Sequence, residues 1–234
     1  GWTSQHKQQL VKWFELTRTW TGGHSFTPFM ENIFQDWATN LSKEEKLSFL
    51  AEVEQYPFTC GILLKDKSLA LKAVDLVAMV QKLKTGVTTA PLRDSIIETL
   101  GRDVKEAEVQ QALRQLADQQ PELTEQVVRA LVKTPSLENS KYYVTALKTT
   151  SPLVMKDSIN ALLKTKYIPV KDDAEPYHRV LLGVGRLAEK DRLQAVKLLQ
   201  KWKDQRFSAD GKDLTAELTG WSRWYGQQFP KATP

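Results

Sequence analysis

Apolar residues recur at spacings of three and four along nearly the whole chain, and this periodicity restricts the fold more than any other feature. One stretch shows it clearly, with Leu69, Ala73, Leu76, Val80 and Leu83. Such spacing places side chains on one face of an α-helix. No stretch alternates apolar and polar residues between hairpin turns, as an exposed strand would. The sequence therefore predicts an all-α protein.

Proline, glycine, asparagine and aspartate interrupt the periodicity and predict where helices begin and end. Ser42 followed by Glu45 is a capping box, which opens a helix that we expect to reach residue 55. A proline and a glycine predict a break over 56–65, and one long helix then ends near Gly86. The other predicted helices cover 4–20, a segment from Pro28 past Trp37, 90–100, 103–119, 121–133, 138–150, 152–166, 175–189, 191–204 and 212–229.

The rhythm of these segments predicts a repeat architecture. Helix pairs that recur about every 30–40 residues, joined by tight polar turns, are typical of a HEAT-like α-solenoid. We expect antiparallel helix pairs in one continuous solenoid, with an aromatic-rich helical segment over 1–86 and HEAT-like repeats over 87–234. Terminal repeats must cover an apolar end, so the tryptophans near both ends are predicted to lie in the core or the caps. They are Trp2, Trp13, Trp20, Trp37, Trp202, Trp221 and Trp224.

Charge is spread unevenly along the chain. Residues 1–120 contain 14 Lys and Arg against 15 Asp and Glu, whereas residues 121–234 contain 19 against 13. Such asymmetry indicates either solvated helix faces or a contact surface for an acidic partner, an anionic membrane or a nucleic acid. If it is a contact surface, the predicted binding residues are Lys141, Lys148, Arg179, Arg186 and Arg223.

Few residues carry the patterns of a catalytic or metal site. The three histidines stand apart, and none has cysteine or carboxylate neighbours at the spacing of zinc ligands. Gly22, Gly23 and His24 are predicted to form a structural loop between two aromatic-rich helices. The single cysteine, Cys60, is predicted to be a small buried residue. We therefore predict no enzyme activity and no cofactor, and no apolar run is long enough for a transmembrane segment.

Two aromatic motifs carry a family resemblance. The first is Trp13-Phe14-Glu15 with Gly22-Gly23-His24-Ser25-Phe26, Phe29, Asn32 and Ile33. The second is Trp221-Ser222-Arg223-Trp224-Tyr225 with Phe229-Pro230 and Pro234, after Leu198-Leu199-Gln200-Lys201-Trp202. Together they resemble the HEAT-like helical region of large secreted multidomain proteins of planctomycete-type bacteria. In that family the region commonly follows a propeller similar to sorbosone dehydrogenases and precedes a c-type cytochrome domain.

The resemblance implies an extracytoplasmic connecting module, periplasmic or secreted, beside redox domains. A cytochrome or dehydrogenase domain would then be its neighbour. The chain itself contains no Cys-x-x-Cys-His motif for haem attachment. No catalytic or haem-binding residue of that family therefore has a counterpart at any position here.

Three functional hypotheses follow from the sequence. The first is a non-catalytic scaffold or adaptor that binds a protein partner or a neighbouring domain. The second is a nucleic-acid-binding protein similar to the alkylpurine DNA glycosylases that are built on HEAT-like repeats, although their double-Trp-Asp element is missing here. The third is a subunit that holds a cofactor or pigment between helices, with His24 as the ligand.

Overall fold

Helices account for all regular structure in the described part of the chain, which comprises residues 3–20, 27–83, 90–209, 211 and 213–230 of a computed structural model. No strand forms among these residues, so the all-α prediction is confirmed. The helices are α1 (Ser4–Trp20), α2 (Thr27–Ala38), α3 (Lys43–Ala51), α4 (Pro57–Leu63), α5 (Ala73–Lys82), α6 (Ala90–Leu100), α7 (Ala107–Gln119), α8 (Thr124–Leu131), α9 (Ser140–Ala146), α10 (Pro152–Lys164), α11 (Glu175–Gly183), α12 (Glu189–Lys203) and α13 (Leu214–Gln228).

Short polar residues cap several of these helices as the sequence predicts. At α3 the backbone N–H of Glu45 donates to Ser42 Oγ at 3.2 Å, and the N–H of Ser42 donates to Glu45 Oε2 at 2.9 Å. This reciprocal pair is the predicted capping box, and α3 ends at Ala51, before the expected residue 55. At α13 the side chain of Asp213 accepts from the N–H of Ala216 at 3.0 Å. Such caps each stabilise a helix by about 1 kcal/mol.

The predicted break over residues 56–65 is wrong, because this segment contains α4. Pro57 lies in the first turn, where its missing N–H would have had no helical partner. Gly61 lies inside the helix near Leu92, which packs against it. The proline therefore marks the start of a helix here, and the predicted break is not present.

The predicted single helix that ends near Gly86 is also wrong in its first part. A 3₁₀ turn covers Lys67–Leu69, and Ala70 adopts a left-handed conformation with φ of 46°. A helix cannot continue through such a residue, so α5 begins only at Ala73. Gly86 itself lies outside the described residues.

Two compact units make up the chain, Gly1–Ala112 and Leu113–Pro234. The boundary expected between 86 and 87 lies outside the described residues. In the first unit the ring of Phe14 stacks on Phe34 at 4.3 Å, and Trp37 packs against Phe34. In the second unit α10 contacts α8, α9 and α12. Its core includes apolar residues of α7 and α12, among them Leu113, Leu116, Val196 and Leu199.

The tryptophans fulfil their predicted role only in part. Trp37, Trp202 and Trp221 are buried, as expected for core or cap residues. Trp13 is 50% exposed, so its place in the core is wrong. It lies on α1 one position before the buried Phe14, which takes the inward direction at that turn. Trp2 lies outside the described residues.

Each unit contains a glutamate that binds two consecutive backbone N–H groups and a hydroxyl. In the first unit, Glu15 on α1 accepts from the N–H groups of Phe58 and Thr59 and from the Thr59 hydroxyl, at 2.8–3.3 Å. In the second, Glu217 on α13 accepts from the N–H groups of Phe207 and Ser208 and from the Ser208 hydroxyl, at 2.8–2.9 Å. We call these two arrangements the Glu15 clamp and the Glu217 clamp.

Candidate functional site

Three of the five predicted partner-binding cations make bonds inside the second unit. Lys141 donates to both oxygens of Asp118 at 3.0 and 3.1 Å. These hydrogen bonds raise the pKa of the Lys141 ammonium and lower the pKa of the Asp118 carboxyl. Lys141 nevertheless remains largely exposed, so a partner could still approach its ammonium.

The two arginines on the α11 side of the unit are held more firmly. Arg179 forms an ion pair with Glu175 and donates to the carbonyl of Val144 at 3.0 Å. Arg186 donates to the carbonyl of Thr149 at 2.8 Å. Each therefore tethers its segment to the α9 region through a backbone carbonyl, that of Val144 within α9 and that of Thr149 after it. These two guanidinium groups serve the fold, whatever else they bind.

Lys148 and Arg223 differ from the other three. Both are exposed, and neither side chain makes a hydrogen bond or ion pair with another described residue. Their charges are therefore available to a partner. The predicted structural loop formed by Gly22, Gly23 and His24 lies outside the described residues, and so does the hypothesis that His24 binds a cofactor.

The surface charge of the second unit follows the sequence asymmetry. Among its described residues, 13 exposed positions are Lys or Arg and 8 are Asp or Glu. In the first unit the corresponding described positions number 8 and 10. An excess of cations at the surface attracts an acidic partner and speeds its association. This excess belongs to the second unit alone.

An aromatic cluster lies in the second unit between α11, α12 and α13. The rings of Tyr177 and Trp202 meet edge to face at 5.4 Å, and Trp224 approaches Tyr177 at 5.1 Å. Burial raises the pKa of Tyr177 to about 12, with smaller contributions from Tyr167 and Asp173. The ammonium of Lys203 lies 5.3 Å from the Trp224 ring centroid, within the range of a cation–π interaction.

Lys201 has a different role on the same helix. Its ammonium donates to the carbonyls of Leu162 and Leu163, at 2.9 and 3.1 Å, and to the carbonyl of Thr165. These carbonyls lie at the C-terminal end of α10, where a positive charge also interacts favourably with the helix dipole. Burial lowers the pKa of Lys201. The Lys-Trp-Lys sequence at 201–203 could have indicated this site, because a lysine on each side of a buried ring must point along the protein surface.

The segment after α10 forms no regular secondary structure, but its side chains alternate between exposed and buried positions. Between Thr165 and Val170 the buried or half-buried residues are Thr165, Tyr167 and Pro169, and the exposed ones alternate with them. Ile168 is 60% and Val170 75% exposed. Large apolar side chains at this exposure, next to one another on a surface, are a common feature of interaction sites.

The first unit contains a cleft of about 710 Å³. Its lining includes buried apolar side chains, among them Leu64, Leu76 and Leu100, and charged residues of both signs, among them Lys72, Arg102 and Glu106. The volume falls in the range of small-molecule sites. A small molecule in this cleft would meet both apolar side chains and charged groups.

Within the described ranges, no three or more His, Cys, Asp and Glu side chains are grouped so that they could hold a metal ion. No helix among the described residues is both long and apolar enough to cross a membrane. His178, on α11, is half-buried, and its ring stacks on that of Tyr225 at 5.6 Å.

No protein-family model, curated protein or solved structure matches this chain.

Proposed function

We propose that this chain is a non-catalytic helical scaffold or adaptor whose second unit, Leu113–Pro234, binds an acidic protein partner or neighbouring domain. The observation that carries the proposal is the excess of exposed Lys and Arg in that unit, 13 against 8 exposed Asp and Glu among its described residues. The exposed and unpaired side chains of Lys148 and Arg223 belong to this excess. In this proposal its helices stack as the antiparallel pairs of a HEAT-like solenoid.

Binding to an acidic probe tests the proposal directly. Poly-L-glutamate is titrated with the protein and with the double variant Lys148→Glu, Arg223→Glu. The matched control carries Lys65→Glu and Lys105→Glu, the same charge change at exposed positions of the first unit. We expect the second-unit variant to lose affinity several-fold and the control to retain most of it. An equal loss in both would mean that net charge alone drives the binding, which contradicts the proposal.

Duplex DNA serves as the competing probe. Phosphate contacts give a steep dependence of affinity on salt concentration. We expect DNA to bind more weakly than poly-L-glutamate at physiological salt. Tight, strongly salt-dependent binding to DNA would support the nucleic-acid hypothesis instead.

The family resemblance adds a proposal about context, in which the chain connects redox domains outside the cytoplasm. The intact mass and a haem stain of the native polypeptide that contains this sequence test it. A mass far above the 26.7 kDa of this chain, together with covalent haem, is the expected result. A polypeptide of 26.7 kDa without haem would contradict the linker role and leave the adaptor role.

A further inference from the structure

The segment that joins α10 to α11 is anchored to α12 through its inward-facing side. Tyr167 meets the buried ring of Trp202 edge to face at 6.0 Å, and Pro169 is buried. At the start of the segment the ammonium of Lys201 binds the carbonyl of Thr165. Inward side chains and a helix cap therefore fix this stretch on α12, although it is neither helix nor strand.

The opposite side of the same segment faces solvent with apolar and cationic groups. Lys166, Ile168 and Val170 alternate with the inward residues, as the side chains of an extended chain do. Lys164 and Lys171 are exposed at the two ends. We call residues 164–171 the basic apolar strip. Its apolar centre lies between positive charges.

The backbone of the strip keeps hydrogen-bonding groups for a partner. The N–H groups of Lys166, Ile168 and Val170 make no hydrogen bond to any described residue. In an extended chain the N–H groups of alternate residues point towards the same side. Pro169, which has no N–H, occupies one of the other positions. One side of the strip therefore offers three N–H groups with which another extended segment can pair, although at its end the carbonyl of Val170 already accepts from the N–H of Asp173 at 3.1 Å.

Charges around the strip favour an acidic occupant. Three lysines, at 164, 166 and 171, stand against the exposed carboxylate of Asp172. The next carboxylate, Asp173, already accepts a hydrogen bond from the N–H of Glu175 at 3.2 Å. The strip thus carries a local positive excess next to exposed apolar area.

We propose that the basic apolar strip is a docking site for an extended segment of a partner protein in which apolar and acidic residues alternate. The partner backbone pairs with the free N–H groups, its apolar side chains cover Ile168 and Val170, and its carboxylates meet the lysines. This inference rests on the proposed scaffold function and specifies where, and with what kind of segment, the second unit binds.

A synthetic peptide in which valine and glutamate alternate is the probe. The test variant is Ile168→Thr, Val170→Thr. The matched control is Leu137→Thr, Leu153→Thr, because these leucines are 57% and 58% exposed elsewhere in the same unit. Covering two apolar side chains on binding predicts a loss of affinity of about tenfold or more for the test variant. The control is expected to bind like the unchanged protein. No loss, or the same loss in both, would overturn the proposal.

Backbone pairing has its own readout. Hydrogen exchange at the amides of Lys166, Ile168 and Val170 is expected to slow when the peptide is bound. A peptide of the same sequence with an N-methylated backbone carries methyl groups that keep its carbonyls from approaching the N–H groups of the strip, so it is expected neither to slow exchange nor to bind well. Equal binding of the two peptides would overturn the pairing.

Vesicles that contain phosphatidylserine separate a membrane surface from a peptide partner. Stronger binding to the vesicles than to the peptide, lost in the Ile168→Thr, Val170→Thr variant, would overturn the proposal.

Failure of the proposed scaffold function can be distinguished from failure of the strip. One outcome is that the Lys148→Glu, Arg223→Glu variant binds poly-L-glutamate like the unchanged protein while the Ile168→Thr, Val170→Thr variant loses the peptide. That result would contradict the wider basic surface and support the strip. If the strip variant binds the peptide normally while poly-L-glutamate binding needs Lys148 and Arg223, the strip alone is wrong.

Discussion

The Glu15 clamp and the Glu217 clamp bind the same kinds of donor, two consecutive backbone N–H groups and a hydroxyl, at different places in the fold. The Glu15 clamp closes the N-terminal end of α4, where Phe58 and Thr59 have N–H groups without helical partners. The Glu217 clamp holds Phe207 and Ser208, which lie in an irregular segment between α12 and α13. Glu15 is half-buried, whereas Glu217 has no exposed surface.

The difference shows what a buried carboxylate needs in order to stay charged. At the start of α4 the aligned peptide dipoles assist the carboxylate of Glu15. No helix begins at the residues that Glu217 binds, so hydrogen bonds must stabilise its carboxylate without the help of a helix dipole. Burial raises the pKa of Glu217, but the N–H groups of Ser208 and Phe207 and the Ser208 hydroxyl outweigh it, and the pKa lies below its usual value. The second clamp therefore depends more completely on its three donors.

Removing Glu217 should have the largest effect. Glu217→Ala leaves the N–H groups of Phe207 and Ser208 without their acceptor and removes a side chain that has no exposed surface, so we expect the free energy of unfolding to fall by about 3 kcal/mol. Chemical denaturation followed by tryptophan fluorescence measures it. Glu217→Gln, which keeps one acceptor oxygen, is the control and should lose less. A loss below that of Glu15→Ala would reverse the ranking of the two clamps.

Removing Glu15 should cost less, because Glu15 itself is half-buried whereas Glu217 has no exposed surface. We expect Glu15→Ala to lower the free energy of unfolding by about 1–2 kcal/mol, as for other helix caps. Cys60, the only cysteine, is a local reporter, since burial first and the charge of Glu15 second raise the pKa of its thiol far above the usual value. Thiol labelling of Cys60 should be faster in Glu15→Ala. An unchanged rate would show that the clamp does not hold the start of α4.

The hydroxyl in each clamp can be removed while the backbone donors remain. Thr59→Val and Ser208→Ala each delete one hydrogen bond to a carboxylate, at 2.8 and 2.9 Å. We expect a loss of roughly 1 kcal/mol for each, with Ser208→Ala the larger because Glu217 is fully buried. Denaturation of the two variants beside the unchanged protein decides the order. Equal losses would mean that burial of the acceptor is unimportant.

The smallest expected effect is on acid stability. The folded-state pKa of Glu217 lies below its usual value of 4.5, so its contribution is fully present above about that pH and is lost as pH falls through the folded-state pKa. Unfolding of the unchanged protein should therefore become easier on acidification more steeply than unfolding of Glu217→Gln. Parallel pH profiles below 4.5 would show that Glu217 has the same pKa in the folded and unfolded chain.

Local signals in the sequence predicted most helices and few of the contacts. Ser42 and Glu45 form a cap within one turn, so four residues of sequence are enough to predict it. The error at Pro57 arose because proline both begins and interrupts helices, and only packing decides between them. Both clamps were missed, since Glu15 and Thr59 are 44 positions apart and no sequence pattern connects them.

The candidate site shows the same limit. A count of charges predicted the basic second unit, but it could not separate Arg179 and Arg186, which bind carbonyls of the fold, from Lys148 and Arg223, which do not. The basic apolar strip was not predicted either, because one helix was predicted over residues 152–166 and no element between 166 and 175. Its alternation of exposed and buried residues becomes visible only once Trp202 lies beneath Tyr167.

The crossed rings of Trp221 and Trp224, 5.4 Å apart at 78°, also give the molecule an optical property. Two indoles this close, held at a fixed angle, couple their electronic transitions and produce a paired positive and negative band in circular dichroism. The band requires the angle to persist, and it vanishes when the rings rotate freely. Both rings lie on α13, so unlabelled protein reports on its own C-terminal packing through the sign and size of that band.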